Sequence, residues 1–167
     1  MLALKILHTK EFMAKLLAGD VFDNFLLEEA IIETYNTFSI DGHIHKEFYQ
    51  NDIESPNATE NSYLFSSWSD MKGICFNLIK GKNTPLGFRF VLHLKPENAL
   101  TAIEPDNNNS TPSNDYCLNI KFRDGAVTVT SAVSIKIFTL DKTADSLWDS
   151  YIKKFFSENN IDFTEEY

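Results

Sequence analysis

Leu86-Gly87-Phe88-Arg89-Phe90-Val91-Leu92-His93-Leu94 alternates with period two, the pattern of a strand that lays one face on a core. Leu86, Phe88, Phe90, Leu92 and Leu94 share one side, while Gly87, Arg89, Val91 and His93 share the other. Pro96 closes the strand, because proline brings no N–H to a ladder. Upstream, Trp68, Met71, Cys75, Leu78 and Ile79 recur at helical spacing. Ser67 or Ser69 is placed to cap that helix, and Gly81 to end it. Gly73 within it costs about 1 kcal/mol against Ala. Asn83-Thr84-Pro85 is the turn into the strand.

Downstream, residues 97–103 suggest a short helical turn, and residues 104–115 are the least structured part of the sequence. Cys117–Phe122 and Val127–Leu140 then read as a hairpin about Arg123-Asp124-Gly125. Asp141 or Thr143 caps a final helix carrying Leu147, Trp148, Tyr151, Ile152, Phe155 and Phe156. Asn159-Asn160 ends it, with Ile161 and Phe163 able to fold back on its last turn. The acidic tail from Thr164 to Tyr167 is expected to fray.

The N-terminal half has a similar rhythm. Met1–Ile6 reads as a short strand. Thr9 caps a helix with Phe12, Met13, Leu16 and Leu17 on one stripe, and Gly19 fits a left-handed C-terminal cap. Phe25–Ile40 is long and strand-like. Asp41-Gly42 favours a type I′ turn, with His43–Phe48 as the returning strand and residues 50–63 as a polar loop. The resulting order, β-α-β-β-α-β-β-β-α, predicts an α+β fold. About six strands form an antiparallel sheet, with three helices packed mainly on one face and residues 1–167 as a single domain.

Composition narrows the function classes. The 167 residues carry 15 Lys and Arg against 24 Asp and Glu, a formal net charge of −9. That balance excludes a general nucleic-acid binder, which needs clustered cations for its phosphate contacts. With 14 Phe and 43% apolar residues the chain is not disordered. No stretch approaches the roughly 18 apolar residues of a membrane span, and the start lacks a secretory signal, so a cytoplasmic location is expected. In that setting Cys75 and Cys117 are read as buried thiols, and Asn57-Ala58-Thr59 and Asn109-Ser110-Thr111 carry no glycan. The charge is uneven: residues 1–50 sum to −4, residues 51–100 to 0 and residues 101–167 to −5.

Three constellations carry possible chemistry. In Asp41-Gly42-His43-Ile44-His45, alternation puts His43 and His45 on one face, where two imidazoles can chelate a metal with a third ligand. His93 supplies that ligand if its strand lies next door. The plain alternative is a turn followed by two solvent-facing histidines. Lys80, Lys82 and Arg89 lie in the one basic stretch of the chain and form a candidate anion site. Gly81-Lys82 lacks the frame of a phosphate loop and follows a helix, where lysines also complement the helix dipole. Finally, a sheet face presenting His43, His45, Arg89, His93, Asn119, Lys121, Thr128, Thr130 and Lys136 could hold an anionic ligand, a partner or a second copy. No G-x-S-x-G is present, and neither Cys has a His nearby in sequence. Glu28-Glu29 and Glu165-Glu166 are adjacent, so each pair points apart on an extended chain.

Three strings, Thr34–Gly42, Leu78–Leu86 and Phe138–Lys142, together resemble a bacterial family of uncharacterised proteins of about this length. The resemblance runs over nearly the whole chain. It implies a small cytoplasmic protein without an assigned activity, cofactor or catalytic residue. The expected function is thus a non-enzymatic domain that binds a protein partner or itself through an open sheet face or strand edge, with no cofactor. The competing expectation is a metal- or anion-dependent enzyme built on His43, His45 and His93 with Lys82 and Arg89.

Overall fold

A computed structural model describes residues 1–49 and 63–167. Among these, β1 (Ala3–Ile6), β2 (Phe25–Glu33), β3 (Thr37–Asp41), β4 (Ser66–Ser67), β5 (Gly87–Leu94), β6 (Asn114–Arg123), β7 (Ala126–Ile135) and β8 (Phe163–Glu165) form one sheet. Its order is β3-β2-β5-β6-β7-β1-β8, β4 adds to the start of β2, and every pairing is antiparallel. The helices are α1 (Thr9–Leu17), α2 (Trp68–Ile79), α3 (Pro96–Ala102) and α4 (Thr143–Glu158). The α+β class is the expected one, with eight strands and four helices among the described residues in place of six and three. The polar loop expected over residues 50–63, except its last residue, lies outside them, as does Asn57-Ala58-Thr59.

The alternation of β5 sets the layering. Phe88, Phe90 and Leu92 face α1, α2 and α4 across a core that also holds Leu118, Ile120 and Val129. The Phe90 ring lies 4.7 Å from that of Phe88 and 5.1 Å from that of Trp68. Both tryptophans are fully buried, and burial of an indole demands a partner for its N–H. Trp68 Nε1 donates to the Leu16 carbonyl at 2.9 Å, and Trp148 Nε1 to the Cys117 carbonyl at 3.0 Å. These bonds tie α2 to α1 and α4 to β6.

The second hairpin forms where expected. Asp124 (φ 52°) and Gly125 (φ 77°) occupy its tip, and Arg123 pairs with Ala126, the two positive φ values of a type I′ turn. The first hairpin differs. Its turn is at residues 34–36, where Thr34 N donates to the Asn36 carbonyl, and Thr37–Asp41 is already the returning strand. The run from Phe25 to Ile40 therefore folds back on itself instead of extending. Asp41-Gly42 serves another need. Gly42 N donates to the Glu28 carbonyl at 2.8 Å, and a Cβ at Gly42 would lie 1.7 Å from Leu27 O. The glycine is there for close backbone approach. His43 makes one isolated bridge, to Phe65, and Lys46–Tyr49 forms a 3₁₀ turn where a strand was expected.

Ends differ in similar ways. Thr9 begins α1 without capping it, and Gly19 is not left-handed, since Ala18 closes the helix in the right-handed region. Asp141 Oδ1 accepts from Thr143 N at 2.9 Å and from the Thr143 hydroxyl, so Asp141 supplies the cap ahead of α4. Asn160 (φ 54°) ends that helix, and Ile161 N returns to the Phe156 carbonyl. The tail does not fray: Phe163–Glu165 pairs with β1, and Lys153 Nζ sits 2.6 Å from Glu165 Oε1. The segment ahead of β6 is organised by Glu104, whose carboxylate accepts from Ser113 N, Asn107 Nδ2 and Tyr116 Oη. Among the described residues no helix is long and apolar enough to cross a membrane.

Candidate functional site

Period two along β5, β6, β7 and β1 sends a second set of side chains away from the helices. Register then decides which of them are neighbours. Arg89 is opposite Lys121, Lys121 opposite Thr128, and Thr128 opposite Lys5. One cross-strand row thus carries three cations and one hydroxyl, with Asn119 and Thr130 paired in the adjacent row. Arg89 and Lys121 are exposed, and no helix among the described residues covers them. Arg89 Nη2 bonds Glu29 Oε2 at 2.5 Å, and Arg123 on the same face pairs with Glu33. Lys121 has no ion pair among the described residues. Arg89, Lys121 and Arg123 share a depression of about 260 Å³ with Ile31 and Glu33. In a chain of net charge −9 this sheet face is locally positive.

The other end of the face is closed. Between Leu27 and Glu29 the β2–β5 register shifts by a bulge, which throws Glu28 out of the alternation. Its carboxylate bonds His93 Nε2, and the Phe65 ring lies 4.8 Å from the His93 ring. On its other side Phe65 meets His43 edge-on at 4.7 Å. His43 Nδ1 is held 2.5 Å from Asp41 Oδ1. Backbone and side-chain hydrogen bonds from His43 keep the Asp41 carboxyl below its ordinary value. His45 is exposed. The three imidazoles therefore do not form one ligand set. Phe65 packs against two of them, each of those two is bonded to its own carboxylate, and among the described residues no three His, Cys, Asp or Glu are placed to hold a metal ion.

A pairing hidden from the linear sequence is Cys117 opposite His93. Burial, followed by the nearby Glu28 charge, pushes the Cys117 thiol up to about 12. Such a thiol stays protonated near neutrality and is no nucleophile. Cys75 is likewise pushed up to about 12 by burial, and both thiols are free.

The candidate anion set divides. Lys80 and Lys82 line a cleft of about 390 Å³ together with Thr34, Tyr35, Asn83 and Thr84. Arg89 is on the sheet face instead. Lys80 Nζ lies 5.8 Å above the Phe76 ring. One further surface went unread in the sequence because Val127–Leu140 looked like one strand. β7 ends at Ile135, and beyond it Ile137, Phe138 and Leu140 are 83%, 89% and 88% exposed. Lys136, just ahead of them, is 3.4 Å from Asp115, which alternation along β6 puts on the same face as Asn119 and Lys121.

The comparison with known families is brief. A family of unknown function (DUF5721) matches residues 15–164. No curated protein and no solved structure matches the chain.

Proposed function

We propose an interaction role on this premise: the chain belongs to the DUF5721 family, whose function is unknown, so the reading rests on its own residues. The protein is a non-enzymatic binding domain whose uncovered sheet face receives an acidic surface of a partner protein. The observation that carries this is the row Arg89–Lys121–Thr128–Lys5. Arg89 is already paired with Glu29, so the exposed Lys121 and Lys5 are the cations of the row that an incoming carboxylate engages. A protein partner is favoured over a free ion by the spread of exposed cations over several strands, from Lys5 on β1 to Lys121 on β6. The apolar side chains of Ile137, Phe138 and Leu140 offer a second contact suited to a protein and not to an ion.

The same reading places the protein in the bacterial cytoplasm as one domain over residues 1–167, in keeping with two free buried thiols and one continuous sheet. The enzyme alternative has less support, since among the described residues no three His, Cys, Asp or Glu are placed to hold a metal ion.

Fluorescence anisotropy with a labelled hexaglutamate peptide tests the role. Binding is expected to weaken as salt is raised and to fall about tenfold or more, the equivalent of 1.4 kcal/mol, in the Lys5→Glu/Lys121→Glu variant. Equal binding by variant and parent would overturn the reading. Sedimentation velocity separates a hetero-partner from a homodimer on the same face.

A further inference from the structure

The cleft at the end of α2 is distinct from the sheet face and has a different chemistry. One wall is the β2–β3 turn with Thr34 and Tyr35, and the other is the loop from Lys80 to Leu86. Leu78 and Ile79 form an apolar base. Tyr35 and Leu86, 85% and 67% exposed, border it. Polar side chains contribute to the lining: Lys80, whose ammonium lies 5.8 Å above the Phe76 ring, Lys82, Asn83 and Thr84. Among the described residues no Asp or Glu lines it. Glu33, the nearest acid in sequence to Thr34, is taken by Arg123.

One cation of the cleft is held in reserve. Lys82 makes no hydrogen bond or ion pair among the described residues. A volume of about 390 Å³ falls within the range of small-molecule sites, which join an apolar lining to a few polar groups. The C-terminal carbonyls of α2 oppose an anion with about half a negative charge, and two ammonium groups outweigh them.

We infer that this cleft binds a small aromatic phosphomonoester. Its phosphate dianion is held by Lys80 and Lys82, and its ring lies against Tyr35 and Leu86. Two lysines match a dianion in charge. The exposed tyrosine gives a planar ring a stacking surface. Gly81, at φ 151° with open space where a Cβ would be, leaves the loop backbone approachable.

Phenyl phosphate, phenol and inorganic phosphate are titrated separately into the isotope-labelled full chain, with backbone amide shifts as the readout. Phenyl phosphate is expected to give saturable shifts at Tyr35 and across Leu78–Leu86, with an affinity about tenfold or more above either half-molecule. Lys82→Ala and Tyr35→Ala, each with an otherwise unchanged spectrum, should each weaken it about fivefold or more. Lys82→Arg, which keeps the charge, should retain most of it. Absence of saturation at millimolar ligand, shifts centred on Lys121 instead of the cleft, or undiminished affinity in Lys82→Ala would each overturn the site.

Discussion

Lys121 sits directly across the β5–β6 ladder from Arg89, two exposed cations side by side. Natural sheets keep like charges out of such positions because opposed pairs cost stability. Replacing Lys121 by Glu turns the repulsion into attraction. Lys121→Glu should therefore raise the unfolding free energy by roughly 0.2–1 kcal/mol while weakening hexaglutamate binding. Urea unfolding beside the anisotropy titration checks both. A variant that loses stability and keeps binding would contradict the role assigned to the pair.

Glycines give a contrast in sign. At Gly42 a Cβ meets Leu27 O at 1.7 Å, a backbone atom that cannot swing aside, whereas at Gly73 nothing lies within 4 Å. Gly42→Ala should cost on the order of 3 kcal/mol. Gly73→Ala, within α2, should gain about 0.5–1 kcal/mol. Denaturant midpoints at constant slope are the measurement.

Phe90 stands between Phe88 and Trp68 in the middle of the core and is fully buried. Phe90→Ala removes a ring that the sheet cannot collapse to refill, and should cost about 3–5 kcal/mol. An effect below 1 kcal/mol, a threshold set by that same range, would mean that α2 does not rest on β5 as described.

Glu104 links pH to stability. Burial pushes its carboxyl up, but hydrogen bonds from Ser113 N, Tyr116 Oη, Asn107 and Ser113 Oγ hold it below its ordinary value on balance. A depressed folded pKa adds stability that is present above the unfolded value and lost as pH falls through the folded one. Burial, and then Glu104 itself, raise the Tyr116 hydroxyl to about 12, so the tyrosine remains a donor throughout. Glu104→Gln should therefore flatten the decline of stability below about pH 4.3, the usual glutamate value. Urea midpoints followed into acid test this, and an unchanged slope would refute it.

What could be read from the residues follows from the range of each signal. β5 was legible because five apolar residues alternate within nine positions, a purely local pattern. Asp124-Gly125 was legible because a two-residue turn contains its own requirement for positive φ. Asp41-Gly42 carries the same letters, yet its glycine answers to Leu27 O, a contact across the sheet that no dipeptide encodes. β8 has no pattern in three residues, and only pairing with β1 orders it. For the sheet face, alternation separated Arg89, Lys121 and Thr128 from the core, but their adjacency depends on strand order. His43, His45 and His93 shared a plausible spacing. The intervening Phe65 is contributed by a segment whose course the sequence does not reveal.

The pairing of β1 also sets a timetable for synthesis. Leu4 must find Val129 and Glu165, so its nearest partner emerges 125 residues later. At about 5–20 residues per second, β1 waits roughly 6–25 s on the ribosome with Leu4 and Ile6 unburied. β2, β3 and β5 can already assemble in that interval. The strand translated first among these is thus among the last to be seated, and for those seconds the nascent chain offers a bare apolar strand to any chaperone that reaches it.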